Sequence, residues 1–128
     1  MTEKAITSIS PCFIVRNVTA ALSFYCEKLG FKIEYQHPDH EPFFAIVQRD
    51  GAMIFLKDVG VEAIPNRKRH PWAGWDAYAL VPDPDVLAAE FTSRSVIFSE
   101  PLQDTHDGLR GFEIEDVDGY FLFFGRPR

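Results

Sequence analysis

Apolar and polar residues alternate along the chain in patterns that predict a short strand followed by a helix. Residues 9–15 form an apolar run rich in β-branched side chains, which is typical of a strand. Asn17 stands where its side chain can cap the next helix, and Gly30 stands where that helix would end. Four apolar residues between them are spaced by four, three and four, so they share one helical face: Val18, Leu22, Tyr25 and Leu29.

Three further strands are predicted in this half, over residues 31–35, 43–49 and 52–57. A polar loop, 36–42, separates the first two of them. Asp50-Gly51 favours a tight turn with positive φ between the last two, which would then be antiparallel. The first half therefore reads as a β-α-β-β-β module.

The second half repeats this plan. Asp83 is its predicted helix cap and Pro84 its first helical residue, after a strand over 76–82. The helix is expected to end near Arg94 and to bury one apolar face, formed by Val86, Leu87 and Phe91. A polar loop over 100–109 and a turn at Asp118-Gly119 would separate the remaining three strands, which are predicted over residues 96–99, 110–116 and 120–125.

The two halves align by residue type, at an offset of 66 around Val15 and Val81 and of 68 around Asp50-Gly51 and Asp118-Gly119. We therefore predict one α+β domain over residues 1–128, with module one at 6–58 and module two at 76–126. The segment between them, 59–75, contains Pro and Gly and reads as a linker.

Length and composition narrow the functional classes. A chain of 128 residues with a net charge of −6 holds one domain and is a poor partner for nucleic acid, which is bound through many Lys and Arg. No run approaches the roughly 20 apolar residues that span a bilayer, and residues 1–6 lack a secretory pattern. Cys12 and Cys26 are too few for a disulfide framework or a thiolate zinc site. We expect a cytoplasmic protein that does not contact membranes.

Charge is divided unevenly between the modules. Residues 76–128 contain 4 basic and 11 acidic side chains, which would modestly favour a cationic ligand. The linker instead contains the basic run Arg67-Lys68-Arg69-His70. This run is interpreted as a solvated segment or as a contact with the acidic module, in preference to an anion-binding site.

The tandem module pattern resembles the vicinal oxygen chelate superfamily, which includes glyoxalase I, extradiol dioxygenases and bleomycin resistance proteins. The resemblance rests on FYCEKLGF at 24–31, on EDVDGYFLFF at 115–124 and on the Asn or Asp cap of each helix. It extends from about residue 6 to 125. It implies a curled, barrel-like mixed sheet around a central cleft in which ligands bind.

The metal enzymes of that superfamily hold a divalent ion at four cleft positions. By resemblance these positions fall on Ser10, Phe55, Asp76 and Phe123. Only Asp76 is a competent ligand, because a phenylalanine ring has no donor atom and a serine is a weak one. The four histidines, His37, His40, His70 and His106, have no spacing that would aim two of them at one ion. We therefore predict no metal and no cofactor, as in the bleomycin-resistance-like branch.

The expected ligand-binding residues combine an apolar floor with a few polar groups. They are Ser10, Cys12, Phe55, Trp72, Trp75, Asp76, Tyr78, Glu113, Phe121 and Phe123. Two alternatives stay open at this point. Phe55 and Phe123 could pack together and close the cleft, and the two tryptophans could serve either a flat ligand or a dimer interface.

The leading hypothesis is a metal-independent, homodimeric small-molecule binding protein that sequesters an aromatic or cationic antibiotic. One rival is a lyase, isomerase or dioxygenase-like enzyme with a remodelled site around Asp76, Glu113 and Arg110, which would need a carboxylate of shifted pKa in the cleft. Another is a structural dimer without a pocket.

Overall fold

The computed structural model describes residues 3–128, so Met1 and Thr2, where the predicted domain and its N-terminal segment begin, lie outside the described residues. Module one contains β1 (Cys12–Ile14), α1 (Val18–Ser23), a π-helical turn (Phe24–Lys28), β2 (Lys32–His37), β3 (Phe44–Arg49) and β4 (Ala52–Lys57). The short helix α2 (Asn66–Arg69) lies in the linker. Module two contains β5 (Ala77–Leu80), α3 (Pro84–Ser93), β6 (Phe98–Asp104), β7 (Leu109–Glu115) and β8 (Phe121–Pro127).

Each module forms one four-stranded sheet, and the two sheets have the same strand order. The orders are β1-β4-β3-β2 and β5-β8-β7-β6. The first strand of each module pairs in parallel with the last strand, and the other pairs are antiparallel. The predicted α+β class and the repeat are confirmed. The sheets stay separate within residues 3–128, so this part of the chain does not close a barrel.

The first helix follows the sequence closely. The Asn17 side chain accepts a hydrogen bond from Ala20 N, and the four predicted apolar residues are buried. The α-helix nevertheless changes to a π-helical turn at Phe24, which the apolar spacing did not reveal. Gly30 ends this segment with φ +73°, and Phe31 N donates to Tyr25 O at 3.0 Å.

The second helix corrects one prediction. Asp83 caps it by accepting from Asp85 N and Val86 N, and Pro84 is its first residue, as expected. Val86, however, is 65% exposed, so its assignment to the buried face is wrong. Ala88 and Phe91 are buried together with Pro84, at spacings of four and three, and this stripe turns Val86 towards solvent.

Strand β6 is longer than predicted, because the segment 100–104 belongs to it and not to a loop. The strand lies at the edge of its sheet, where polar side chains face water, and its pairing with β7 shifts between Glu100 and Gln103. That irregularity accommodates Pro101, which cannot donate to a regular ladder. Polar composition and a proline therefore concealed an edge strand. β1 and β5 are shorter than their predicted ranges.

The two sheets share one hydrophobic core, formed by their helix-covered faces together with α1 and α3. Phe13 and Tyr120 stack with their ring centroids 4.2 Å apart, and the Tyr120 hydroxyl donates to Ile14 O at 2.6 Å. The Tyr25 hydroxyl donates to Asp116 at 2.6 Å. These contacts join the two modules on the helix-covered side of their sheets. The other face of each sheet therefore lies outside the shared core.

No helix within residues 3–128 has the length and apolar character needed to cross a membrane.

Candidate functional site

The register of module two places three side chains in one row across its sheet. Tyr78 of β5 is paired with Phe123 of β8, which is paired with Glu113 of β7. Paired residues project from the same face of a sheet, so this row occupies the face that α3 does not cover. Two aromatic rings and a carboxylate are thereby brought together from segments up to 45 residues apart.

Phe123 lies over two glycines. Gly111 and Gly125 are partners in the same sheet. A Cβ atom built on Gly111 would lie 2.7 Å from Cε2 and Cζ of the Phe123 ring, and one built on Gly125 would collide with the same ring. Only glycine at both positions therefore leaves room for this ring to lie against the sheet.

Trp75, Tyr78 and Phe123 form an aromatic platform. The centroid of the Phe123 ring lies 5.5 Å from that of Trp75 and 5.8 Å from that of Tyr78, and both pairs of rings are stacked. Phe123 is only 5% exposed, whereas Trp75 and Tyr78 are each 37% exposed. Trp72 is 89% exposed and contacts His70 edge-on. The structure thus groups three of the expected ligand-binding aromatics and leaves Trp72 apart from them.

Glu113 is buried beside this platform and is bound by two other side chains. The guanidinium of Arg67 donates to both of its oxygens, at 2.6 and 3.0 Å, and the Ser99 hydroxyl donates at 2.9 Å. Arg67 also lies over the ring of Phe121, 3.8 Å from its centroid. The expected contact between the basic run and the acidic module is confirmed at Arg67. The sequence did not reveal that Glu113 is the partner of Arg67 or that Ser99 also binds this carboxylate. A run of basic residues does not show which of its side chains will pack against the protein and which will face solvent.

The Asp76 carboxylate is taken up by backbone amides. One oxygen accepts from Asn66 N and the other from Phe121 N, both at 2.8 Å. Asp76 therefore ties the start of α2 and the start of β8 to the strand that follows it. A carboxylate held in this way has little freedom to turn towards an ion or a substrate.

The corresponding face of module one is separate from the platform. Cys12 of β1 is paired with Phe55 of β4, whose ring contacts Phe44 edge-on with centroids 5.9 Å apart. Ser10 precedes β1 and is half-buried. No aromatic contact joins Phe55 to Phe123 in the described part of the chain, so the two rings do not close a cleft by packing on each other within one chain.

An open groove of about 520 Å³ runs between β1 and the linker. Cys12 and Asp76 are the only expected ligand-binding residues that line it, next to apolar side chains such as Ile14 and Ile64. The expected residues are thus divided between this groove, the platform and the module-one face.

The residues present do not fit the metal ion of the superfamily's enzymes. Of the four positions that the resemblance assigns to the ion, Phe55 and Phe123 offer no donor atom, Ser10 is a weak ligand and Asp76 is hydrogen-bonded to amides. Across residues 3–128, no three His, Cys, Asp or Glu side chains are grouped so that they could hold an ion.

The remodelled acid–base site around Asp76, Glu113 and Arg110 is not assembled. Arg110 forms ion pairs with Asp85 of α3 and with Asp104, on the side of β7 opposite to Glu113.

A carboxylate of strongly shifted pKa does exist, but at the module junction. Burial raises the pKa of Asp116 from 3.8 to about 6, against hydrogen bonds from Tyr25 and from the amides of Tyr120 and Asp118 that lower it. The Asp116 carboxylate contacts the core side of module one and not the platform.

Comparisons with known proteins agree with this architecture. Residues 6–124 match the family model of the Glyoxalase/Bleomycin resistance protein/Dioxygenase superfamily. No curated protein matches the chain. Among solved structures, TioX from Micromonospora sp. ML1 is similar with a TM-score of 0.74 and 18% identity, over 94% of this chain and 98% of that one.

Two further similar structures have informative descriptions. One is TnmS3, an antibiotic binding protein from Streptomyces sp. CB03234, with a TM-score of 0.68 and 21% identity over 98% of this chain and 100% of that chain. The other is the bleomycin-binding protein from bleomycin-producing Streptomyces verticillus, complexed with copper(II)-bleomycin, with a TM-score of 0.69 and 22% identity over 100% of both chains. From the match to the family model, this chain belongs to the Glyoxalase/Bleomycin resistance protein/Dioxygenase superfamily.

Proposed function

We propose that this protein binds a flat aromatic small molecule, without a metal ion, against the aromatic platform. The observation that carries the proposal is the Phe123 ring, which lies over Gly111 and stacks with the half-exposed rings of Trp75 and Tyr78. By resemblance, this ring stands where metal enzymes of the superfamily keep a ligand to their ion. A stacked aromatic surface with polar groups at its border is a typical construction for a small-molecule site.

Sequestration of an antibiotic is the biological role that we propose for this binding. It is supported by TnmS3 and the bleomycin-binding protein, whose descriptions name antibiotic and bleomycin binding. It is also supported by the platform itself, since each stacked aromatic pair contributes about 0.5–1.5 kcal/mol beyond the burial of its area. Such a protein needs no group for bond making or breaking.

We propose further that two chains form a homodimer, in which a second copy covers the uncovered face of module one. Ile14 and Tyr35 are exposed on this side of the sheet, next to the half-buried Phe55. Sedimentation equilibrium tests the dimer, and a mass of one chain at high concentration would contradict it.

The cytoplasm is the location that we propose for this protein. Cys12 and Cys26 are free thiols, which is consistent with that reducing compartment.

Tryptophan fluorescence tests the binding proposal. The chain has 2 Trp, so Trp72→Phe leaves Trp75 of the platform as the single emitter. We expect saturable quenching of Trp75 by acridone, a neutral planar probe, or by planar aromatic antibiotics. Tyr78→Ala should weaken this binding by about tenfold, equivalent to about 1.4 kcal/mol. Ile97→Ala, which removes an exposed apolar side chain elsewhere in module two, should leave it unchanged.

Two results would contradict the proposal. The first is the absence of saturable quenching by any of these planar molecules. The second is an affinity, measured by quenching, that is the same for Tyr78→Ala as for the parent protein.

A further inference from the structure

Arg67 occupies a site that has the features of a binding site for a planar cation. We propose that this site, formed by Glu113, Ser99 and Phe121 beside the aromatic platform, receives an amidinium or guanidinium group of the ligand, and that Arg67 is an internal occupant which the ligand displaces. The inference rests on the proposed function and names the chemical class of the ligand.

The contacts of Arg67 are those that a planar cation requires. Its two terminal nitrogens donate to the two oxygens of Glu113, at 3.0 and 2.6 Å. Paired, parallel hydrogen bonds of this kind select flat cations over a single ammonium group. The guanidinium also lies 3.8 Å from the centroid of the Phe121 ring, within the range of a cation–π contact.

The carboxylate is fixed in place and shielded from water. The side chain of Glu113 is only 4% exposed, and the Ser99 hydroxyl holds one of its oxygens at 2.9 Å. A buried carboxylate that loses its cation is strongly unfavourable. The site therefore accepts one cation in exchange for another and disfavours a neutral group in that place.

The site adjoins the platform. Glu113 is the register partner of Phe123, so the carboxylate and the stacked ring are neighbours on the same sheet face. A flat molecule that stacks on Trp75 and Tyr78 could place a cationic substituent against Glu113.

The Arg67 side chain can leave its place without movement of the whole segment. The start of α2 is held by Asp76, but none of the four residues of this helix is buried, and the Arg67 side chain is 32% exposed. A partly exposed side chain with few buried contacts moves aside at low free-energy cost. An internal occupant reduces the apparent affinity for an external one to the intrinsic affinity multiplied by the fraction of time for which the site is free.

The test compares 4-aminobenzamidine, a planar cation, with 4-aminobenzamide, its neutral counterpart, by isothermal titration calorimetry. We expect the amidine to bind at least about tenfold more tightly than the amide. Arg67→Ala should raise the affinity for the amidine by a further factor of about ten, because the competitor is gone. Lys68→Ala removes one positive charge from the same helix, where Lys68 pairs with Glu62, and should leave the affinity unchanged within about twofold. Glu113→Gln should abolish the preference for the amidine.

The inference is overturned if Arg67→Ala leaves the affinity for the amidine unchanged or lowers it, since Arg67 would then only tie the linker to module two. Equal binding of the amidine and the amide by the unmodified protein also overturns it. If Arg67→Ala does not fold, the cation site is still tested by two measurements: the amidine and amide affinities of the unmodified protein, and the same pair of affinities for Glu113→Gln. Acridone, which is neutral, reports separately on the platform: acridone binding without an amidine preference rejects the cation site alone, and loss of both rejects the proposed function.

Discussion

The close contact between Phe123 and Gly111 leads to a prediction about stability. Gly111→Ala would place a Cβ atom 2.7 Å from two carbons of the Phe123 ring and against the backbone oxygen of Phe124. Overpacking of this kind costs about 1–3 kcal/mol. The atom nearest to that Cβ is the Phe124 oxygen, which Phe123→Ala leaves in place, so removal of the ring should relieve only the part of the cost that the ring causes.

A double-mutant cycle measures this relief. The free energy of unfolding would be obtained from urea titrations of the parent protein, both single variants and the double variant. We expect Gly111→Ala to cost at least about 1 kcal/mol less in the Phe123→Ala background than in the parent. Additivity within about 0.5 kcal/mol would refute the reasoning, since it would mean that the ring adds nothing to the cost of a side chain at position 111.

Three further predictions concern the module junction and a helix cap. Burial raises the pKa of Asp116 from 3.8 to about 6, so its proton is held more tightly in the folded chain. Relative to Asp116→Asn, the parent should therefore gain up to about 3 kcal/mol as the pH falls from about 6 to about 4 in urea titrations, and parallel pH profiles would contradict this. Tyr25→Phe removes the 2.6 Å hydrogen bond to Asp116 and should lower the free energy of unfolding by about 1–3 kcal/mol; no loss would show that this bond is not formed. Asp83→Ala removes the cap of α3 and should cost about 1 kcal/mol in the same assay, whereas Asp39→Ala in an exposed loop should cost much less.

Features of the fold that depend on neighbouring residues could be predicted from the sequence. The caps at Asn17 and Asp83 act on amides two or three residues away. The apolar face of α1 depends only on a spacing of three and four residues. The repeat then related one module to the other, because each local signal occurred twice.

Features that depend on contacts between distant segments could not be predicted. Phe91 was predicted to be buried, but nothing near Val86 indicates that the buried stripe of α3 contains Pro84 and Ala88 and leaves Val86 in solvent. Strand β6 is polar because it lies at a sheet edge, and edge position is a property of the assembled sheet.

The candidate site shows the same division. Strand alternation placed Phe121 and Phe123 on one face, and the resemblance pointed to that face as the cleft. The support beneath Phe123 depends on the pairing of Gly111 with Gly125, which only the register reveals. Arg67 and Glu113 lie 46 residues apart, so their ion pair has no local signal in the sequence.

Metal content tests most directly the claim that an aromatic platform stands in place of a metal site. The untagged protein would be dialysed against Zn²⁺, Mn²⁺ and Ni²⁺, separated from free ions, and analysed by inductively coupled plasma mass spectrometry. The account predicts far less than one ion per chain, because Phe55 and Phe123 offer no donor atom and Asp76 is bound by two amides. One ion per chain, lost on substitution of Asp76→Asn, would contradict it.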